Sequence, residues 1–325
     1  MQAVRITHAG TPGSLALHDA PDPEPGPGDL LVQVAAAGVN RADLLQVAGR
    51  YPPPPGAPPW PGLEVSGTVL AAGDEARAGG WREGDRVAAL LAGGGYATLV
   101  AVPASLALRV PDELALIDAA ALPEALATVT STLDAAGLRR DEALLVRGGS
   151  GGIGTVAVQL GRALGARVLA TAGGLERCER VRELGVDVVV DHHGPDLVRL
   201  VREAAGGGVD VVLDVVGAAA LADNLAMLAD GGRLAVIGLQ KGVLAELDLG
   251  LLLARRLTVL GTTLRSRPLG QKAAIMAAVR ERVWPLVAAG RVRPVIHARL
   301  PLARADEAHR LLASGQVFGK LLLLP

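Results

Sequence analysis

A glycine-rich hexapeptide carries the strongest chemical signal in this sequence. Residues Gly149-Ser150-Gly151-Gly152-Ile153-Gly154 fit the pattern G-x-G-x-x-G, with an apolar strand-like run before them and an apolar helical segment after them. Small residues permit a tight turn and let backbone N–H groups approach a pyrophosphate, and the start of the helix adds a favourable partial positive charge. The motif predicts a dinucleotide phosphate site. The alternative is a glycine-rich turn that holds no ligand.

The end of the next predicted strand indicates which dinucleotide is bound. It reads Thr171-Ala172-Gly173-Gly174 and lacks the acidic residue that usually binds the ribose 2′-hydroxyl of NAD. Arg177 follows three residues later, and a guanidinium suits a 2′-phosphate. We therefore predict NADPH as the cofactor. The alternative is that Arg177 is a solvated residue on a surface helix, and its neighbour Glu176 weighs against the assignment.

Few residues could support metal or nucleophilic chemistry. Cys178 is the single cysteine, which rules out an internal disulfide and any multi-cysteine metal site. The histidines follow no metal-ligand spacing, and no Ser/His/Asp order indicates acyl transfer. We predict that no metal is bound.

Charge and composition narrow the range of partners. The formal net charge is -1 with dispersed arginines, so no nucleic-acid partner is expected. The start lacks a signal-peptide pattern and no apolar stretch of about 18 residues occurs, so we expect no membrane span and a cytoplasmic location. Because 50% of residues are hydrophobic and only 2% aromatic, the cores must consist of Ala, Val, Leu and Ile.

Two patterns of secondary structure divide the chain. Up to about residue 120, short strand-like runs recur between turns, and prolines make 51–59 a stiff loop. From about 121 to 264, apolar strands alternate with helices, which predicts a parallel sheet covered on both faces. The predicted strands are 30–34, 65–69, 86–90, 97–102, 143–146, 167–171, 186–190, 209–213, 233–237 and 257–260. A helix over 271–289 follows, and a last strand over 319–324 is expected to rejoin the first domain.

Three segments resemble the medium-chain dehydrogenase/reductase family. Gly38-Val39-Asn40-Arg41-Ala42-Asp43 is similar to the segment that carries the first catalytic zinc cysteine of alcohol dehydrogenases, with Asn40 at the cysteine position. Gly62-Leu63-Glu64-Val65-Ser66-Gly67 resembles the Gly-His-Glu motif, with Leu63 replacing the second zinc ligand, and Gly84-Asp85-Arg86-Val87 is another family hallmark. The four-cysteine structural zinc lobe is absent.

Without these zinc ligands, the chain resembles the zinc-free quinone oxidoreductase, or zeta-crystallin-like, branch of the family. Segments 39–44, 122–125 and 264–267 are similar to its subgroup named for induction by a tumour suppressor. The resemblance implies an α/β fold: a Rossmann doubly wound parallel sheet over 121–264 plus a β-rich GroES-like catalytic domain over 1–120 and 265–325. It also implies NADPH as hydride donor, bound in a cleft between the domains.

Site residues follow from the same resemblance. The pyrophosphate is expected at Ser150, Gly151, Gly152, Ile153 and Gly154, and the 2′-phosphate at Gly174 and Arg177. His192 stands where the family often has a tyrosine, and it either pairs with the phosphate or is plain surface. Further cofactor contacts are expected at Thr128, Gly217, Gly238, Leu239, Leu264, Phe318, Gly319 and Lys320.

Three functions agree with these residues. The first is NADPH-dependent reduction of a quinone or similar conjugated carbonyl, which needs little Lewis-acid help because the product is aromatic. The alternatives are an enone or enoyl-thioester reductase of the same superfamily and a non-catalytic NADPH-binding protein with a structural or regulatory role.

Two residues are predicted to do the chemistry. Asn40 and Tyr51 are expected to orient the substrate and to donate hydrogen bonds to the oxygen that gains charge. The alternative for Tyr51 is packing on its loop. The apolar last strand of the parallel sheet, 257–261, leaves an exposed edge that predicts a homodimer.

Overall fold

The computed structural model describes residues 1–8 and 14–325. Two compact units can be distinguished: the first comprises Met1–Ala127, Leu264–Ala288 and Pro294–Pro325, and the second comprises Thr128–Thr263 and Ala289–Arg293.

The unit boundaries differ from the predicted domain boundaries at residues 121–127, at residue 264, which lies in the first unit, and at residues 289–293. Residues 121–127 lie in the first unit because the backbone N–H of Glu124 donates to Glu64 Oε2 there, at 2.9 Å. Residues 289–293 lie in the second unit, where both the N–H and the carbonyl of Arg293 bond to the side-chain amide of Gln159.

The described residues form strands and helices with the following bounds. The strands are β1 Gln2–Ile6, β2 Leu15–Asp19, β3 Asp29–Val39, β4 Glu64–Ala72, β5 Arg86–Leu90, β6 Leu99–Pro103, β7 Ala107–Arg109, β8 Ala143–Val146, β9 Arg167–Ala172, β10 Val188–Asp191, β11 Val209–Asp214, β12 Leu228–Val236, β13 Thr258–Gly261, β14 Ile296–Pro301 and β15 Lys320–Leu324. The helices are α1 Arg41–Val47, α2 Asp74–Ala78, α3 Leu116–Ala119, α4 Pro123–Ala135, α5 Gly152–Ala163, α6 Leu175–Arg182, α7 Leu197–Ala205, α8 Leu221–Met227, α9 Leu249–Ala254, α10 Leu269–Ala278, α11 Trp284–Ala288 and α12 Ala305–Ala313. A π-helical stretch, Val279–Val283, joins α10 to α11.

The second unit is built on a parallel sheet with the order β10-β9-β8-β11-β12-β13. This is the doubly wound Rossmann order, in which the chain reverses its direction of travel across the sheet after the third strand from one edge. The apolar runs predicted as strands are buried where helices cover the sheet, but the edge strand β13 is largely exposed. One core cluster joins Leu145, Leu169, Val212 and Leu234. The predicted α/β fold class is confirmed.

The first unit is β-rich. Its main sheet has the order β14-β15-β3-β4-β5-β7, with β6 also paired to β3. β15 pairs antiparallel with β3 and parallel with β14, so the last strand does rejoin this unit, as predicted. The strand predicted over 97–102 begins later than expected: β6 begins at Leu99, after a turn-rich segment in which the backbone N–H of Tyr96 donates to Pro61 O.

None of the described helices combines the length and the apolar character that crossing a membrane requires.

Candidate functional site

The predicted phosphate loop connects β8 to α5. Gly151 is the N-cap of α5, and the helix begins at Gly152, so the backbone N–H groups of its first turn are available to an anion. Gly154 lies against the loop: a Cβ there would come within 2.0 Å of Gly148 O. Only glycine permits this approach, and the loop is therefore shaped as the motif predicted.

A buried arginine lies directly before this loop. Arg147 is only 6% exposed, yet its Nε and Nη1 atoms have no hydrogen-bond partner among the described residues. Burial lowers the pKa of Arg147, and the charges of Asp214 and Asp223 oppose that effect. Unsatisfied buried donors at the loop agree with a site for an anionic group. Arg147 was not among the predicted site residues, although an arginine directly after an apolar strand is a visible signal in the sequence.

The predicted 2′-phosphate residues lie at the ends of β9 and β10. Gly174 is the N-cap of α6, which carries Arg177, and His192 follows β10 directly. Asp191, which was not among the predicted site residues, also lies here: its Oδ1 accepts from the N–H groups of Gly174 at 3.1 Å and His193 at 2.9 Å. These hydrogen bonds lower the pKa of Asp191.

The groups at this position therefore do not all favour a phosphate. Burial, aided by the charges of His193, Arg147 and Lys241, lowers the pKa of His192, so its imidazole is neutral near pH 7. Asp191 carries negative charge close to Gly174, although β9 itself ends without an acid. β10 pairs with β9 in a register that sets Asp191 beside Ala172, so the place of this carboxylate depends on strand register.

Other predicted cofactor residues meet at the ends of β11 and β12. Asp214, which is buried, accepts from the N–H groups of Val216 at 3.0 Å and Gly217 at 2.8 Å. The N–H of Lys241 in turn donates to Val216 O at 2.8 Å. These bonds hold the segment around Gly217 against the segment that contains Gly238 and Leu239, at the carboxyl edge where α/β sheets bind ligands.

A buried ion pair organises the first unit around Asn40. Lys320 Nζ lies 2.5 Å from Glu64 Oε1 and 2.5 Å from Asn40 Oδ1, and Asn40 Nδ2 donates to Glu64 Oε1 at 2.9 Å. Lys320 is 4% exposed and Glu64 is fully buried. Although burial opposes it, the negative charge of Glu64 and then of Glu124 raises the pKa of Lys320, so the ammonium stays protonated.

A second buried network begins at the backbone of Asn40. Asp43 Oδ2 accepts from the Asn40 N–H at 2.8 Å and from the Tyr96 hydroxyl at 3.1 Å, and that hydroxyl lies 3.0 Å from His309 Nε2. Burial raises the pKa of Asp43 to about 6 and lowers that of His309 to about 4. When Asp43 is ionised, Tyr96 donates to it, so neutral His309 must donate through Nε2.

Tyr51 presents a different environment at the start of the proline-rich loop. It is half-buried, and its hydroxyl has no hydrogen-bond partner within residues 1–8 and 14–325. Burial raises the pKa of Tyr51, while the charge of Arg265 lowers it and that of Glu124 raises it. Glu124 thus influences both Tyr51 and Lys320, and the unpartnered hydroxyl is available to a ligand.

The predicted site residues are divided between the two units. Thr128, Ser150–Gly154, Gly174, Arg177, His192, Gly217, Gly238 and Leu239 belong to the second. Asn40, Tyr51, Leu264, Phe318, Gly319 and Lys320 belong to the first. Direct cofactor contact by each of these residues stays a prediction. In the part of the chain that the structure describes, no three His, Cys, Asp or Glu side chains cluster as a metal site would require.

Comparisons with known proteins place this geometry in a family. Residues 26–112 match the family described as alcohol dehydrogenase GroES-like domain, and residues 152–280 match the family described as zinc-binding dehydrogenase. The quinone oxidoreductase of Rattus norvegicus is 32% identical over 332 residues, covering 100% of this chain and 98% of that protein. The chain belongs to the zinc-free quinone oxidoreductase branch of the medium-chain dehydrogenase/reductase family. The resemblance predicted from the sequence is confirmed at this level, and the tumour-suppressor-inducible subgroup stays a prediction.

Two further relatives bear on function. The solved structure of Escherichia coli quinone oxidoreductase complexed with NADPH aligns with a TM-score of 0.88 and 27% identity over 100% of both chains. A mycocerosic acid synthase-like polyketide synthase of Mycobacterium tuberculosis (strain ATCC 25618 / H37Rv) is 34% identical over 302 residues. That match covers 92% of this chain but only 14% of the polyketide synthase.

The Asp43–Tyr96–His309 network predicts opposing pH dependences of stability. Because the folded state lowers the pKa of His309 from 6.5 to about 4, His309 makes the protein more stable as pH rises through that window. Replacing it in His309→Phe should therefore reduce stability increasingly from pH 4 to 6.5, by at most about 1.4 kcal/mol per pH unit. Urea unfolding at several pH values measures this.

The matched variant is Asp43→Asn. Because the folded state raises the pKa of Asp43 from 3.8 to about 6, Asp43 costs stability as pH rises through that window. Relative to wild type, Asp43→Asn should therefore become progressively less destabilised from pH 4 to 6. If the free energy of unfolding changed with pH in the same way in wild type and in both variants, the pKa shifts assigned to His309 and Asp43 would be contradicted.

Proposed function

We propose that the chain is a nicotinamide-dependent oxidoreductase that reduces quinones or similar conjugated carbonyls, with NADPH as its preferred cofactor. The observation that carries the proposal is the unpartnered hydroxyl of Tyr51 in the same unit as the Asn40–Lys320–Glu64 cluster. Donors held in fixed positions stabilise an oxygen that gains negative charge. The match to quinone oxidoreductases supports the choice of substrate class.

Backbone groups would hold most of the cofactor. The first turn of α5 would take the pyrophosphate, and the glycine approach at Gly154 leaves the room that this contact needs. Gly174 and Arg177 would take the 2′-phosphate, and the ends of β11 and β12 would line the nicotinamide. When bound, the cofactor supplies the hydride.

The chain's own residues would then act on the acceptor. Tyr51 would donate to the carbonyl oxygen as it becomes an oxyanion. Asn40 Nδ2 donates to Glu64 at 2.9 Å and makes only a long 3.5 Å bond to Gly38 O, and the proton of that long bond would donate to the substrate oxygen. The hydride and one proton together convert a quinone to its quinol, and the quinol oxyanion can take that proton from water.

A second candidate is reduction of an enone or enoyl thioester. The 34% identity to a polyketide synthase over 92% of this chain favours it. Such a reaction needs a proton delivered to carbon after hydride transfer, whereas a quinone needs one only on oxygen. A third candidate, a non-catalytic NADPH-binding protein, predicts cofactor binding without turnover.

The substrate class and the roles of Asn40 and Tyr51 can be tested together. NADPH oxidation against a panel of quinones and a panel of enoyl thioesters should favour the quinones. Tyr51→Phe and Asn40→Ala should each lower kcat/KM for quinones by roughly 10- to 1,000-fold, because each removes a donor to the developing oxyanion. NADPH binding should be unchanged in Tyr51→Phe.

The control is Arg50→Ala, an exposed neighbour of Tyr51, which should retain wild-type kcat/KM. Near-wild-type values for Tyr51→Phe and Asn40→Ala would remove these residues from the chemistry. Turnover confined to enoyl thioesters would select the second candidate, and binding without any turnover the third.

Cofactor preference is expected to depend on Arg177. Arg177→Ala should weaken NADPH binding by about 1–3 kcal/mol and leave NADH binding little changed, because only NADPH carries the 2′-phosphate. Asp191→Asn should act in the opposite direction, since it removes a negative charge beside Gly174. Calorimetric titration of both cofactors measures these effects, with the exposed Arg182→Ala on the same helix as control. Equal loss with both cofactors would give Arg177 a structural role.

A homodimer is proposed from the edge of the parallel sheet. β13 pairs with β12 on one side. Its own Val259 is 38% exposed, and Leu253 on the preceding helix α9 is 78% exposed. Light scattering at micromolar concentration should give twice the chain mass, and Val259→Lys should yield monomer because a lysine blocks edge pairing. The control Leu200→Lys changes an equally exposed residue on α7 and should stay dimeric. A monomeric wild type would contradict the proposal.

A further inference from the structure

Arg265 is a buried cation that joins three separate segments of the first unit. Its Nε donates to Ala92 O at 2.7 Å, its Nη1 to Tyr51 O at 3.0 Å and its Nη2 to Gln46 Oε1 at 2.6 Å. The residue is only 5% exposed. A planar guanidinium is the one side chain whose fixed fork can serve three acceptors at once.

These bonds extend to both ends of the proline-rich loop. Gln46, which accepts from Arg265, donates through Nε2 to Pro59 O at 2.8 Å. The Trp60 indole donates to Gly94 O at 3.0 Å, and the Gly94 N–H donates to Trp60 O at 2.9 Å, two residues beyond Ala92. Arg265 therefore holds the first residue of the loop directly and its far end through Gln46.

The positive charge of Arg265 acts on Asp43 and on Tyr51, and Tyr51 is the one whose ring the guanidinium covers. All three acceptors of the guanidinium are uncharged, so none of them neutralises it. Its Cζ lies over the Tyr51 ring, 5.2 Å from the centroid, which is within cation–π range. Burial raises the pKa of Tyr51, the charge of Arg265 opposes that effect, and the charge of Glu124 adds to it. A phenol beside a fixed cation is a stronger hydrogen-bond donor than an isolated buried phenol.

We propose that Arg265 is a positioning residue for substrate reduction: it fixes the Tyr51 loop and places a positive charge against the phenol ring that donates to the acceptor oxygen. The inference rests on the proposed function, because it assumes that Tyr51 meets the substrate. Arg265 itself need not touch the substrate. Its two contributions, geometry through the fork and charge through the ring, can be separated by substitution.

Two variants separate them. Arg265→Gln removes the charge and most of the fork, whereas Arg265→Lys keeps the charge but offers a single ammonium in place of the three-way fork. Tyr51 ionisation is followed by tyrosinate absorbance, with the same protein carrying Tyr51→Phe subtracted. Tyr51 should ionise at higher pH in Arg265→Gln, and Arg265→Lys should return its titration toward wild type.

Kinetics provide the second measurement. Arg265→Gln should lower kcat/KM for quinones by about 10- to 100-fold in wild type but by less than about 3-fold in Tyr51→Phe, because both act through one hydroxyl. In Arg265→Lys, kcat should return closer to its wild-type value than KM does, because the charge is kept while the loop is no longer fixed. NADPH binding and circular dichroism are measured on every variant to check that the fold persists. If Arg265→Gln is insoluble, the same measurements on Arg265→Lys test the proposal.

The matched control is Arg5→Gln. The Arg5 guanidinium lies over the Trp60 ring at 5.9 Å, at the far end of the same loop, and Arg5 is exposed. It should change neither the Tyr51 titration nor kcat/KM. An unshifted Tyr51 titration in Arg265→Gln, or losses that add independently with Tyr51→Phe, would overturn the proposal. If Tyr51→Phe alone has no kinetic effect, the function proposed for Tyr51 fails, while the titration still decides whether Arg265 positions it.

Discussion

The buried pair of Lys320 and Glu64 is the constraint on which the first unit depends. Two ions removed from water are tolerated only when each supplies the opposite charge at hydrogen-bond distance and the remaining polar atoms are satisfied. That requirement brings together β15, β4 and the residue before α1, and Glu64 Oε2 also accepts from the N–H of Glu124. Gly38 is part of the same requirement, since a Cβ there would lie 2.2 Å from Glu64 Oε1.

Asn40 is fixed from two sides as a consequence. Its side chain is held by Lys320 and Glu64, and its backbone N–H is held by Asp43, which belongs to the network of Tyr96 and His309. A donor whose orientation is set before a ligand arrives needs little reorganisation during reaction. In the family's pattern the Asn40 position carries a zinc-binding cysteine, and here the nearest cation is the ammonium of Lys320. The chain thus replaces a ligand position by a hydrogen-bonded amide that is itself held by an ion pair.

The second unit organises its site with backbone groups. Because Gly154 has no side chain, the first turn of α5 can pack against Gly148 O in the loop before it. Asp214 and Asp191 each accept from two backbone N–H groups at strand ends. Carboxylates that hold a backbone in place also bring negative charge to an edge suited to phosphates. Arg147, buried with unsatisfied donors, supplies positive charge at the same edge. We expect the balance of these charges, together with Arg177, to decide which dinucleotide this edge prefers.

The sequence by itself determined the features that depend on residues close together in the chain, namely the glycine motif and the fold class. Gly154 and the loop it packs against are six residues apart, and the apolar runs of the parallel sheet reflect burial on both faces, so motif and fold class were predictable. Only the tertiary structure decided the contacts of Lys320 with Asn40, of Arg265 with Gln46 and of His309 with Tyr96, which span 280, 219 and 213 residues. Such pairs depend on strand register, including that of β15 against β3. Apolar alternation indicates which face of a strand is buried, but it does not fix which residue lies opposite, so these networks could not be predicted from the sequence.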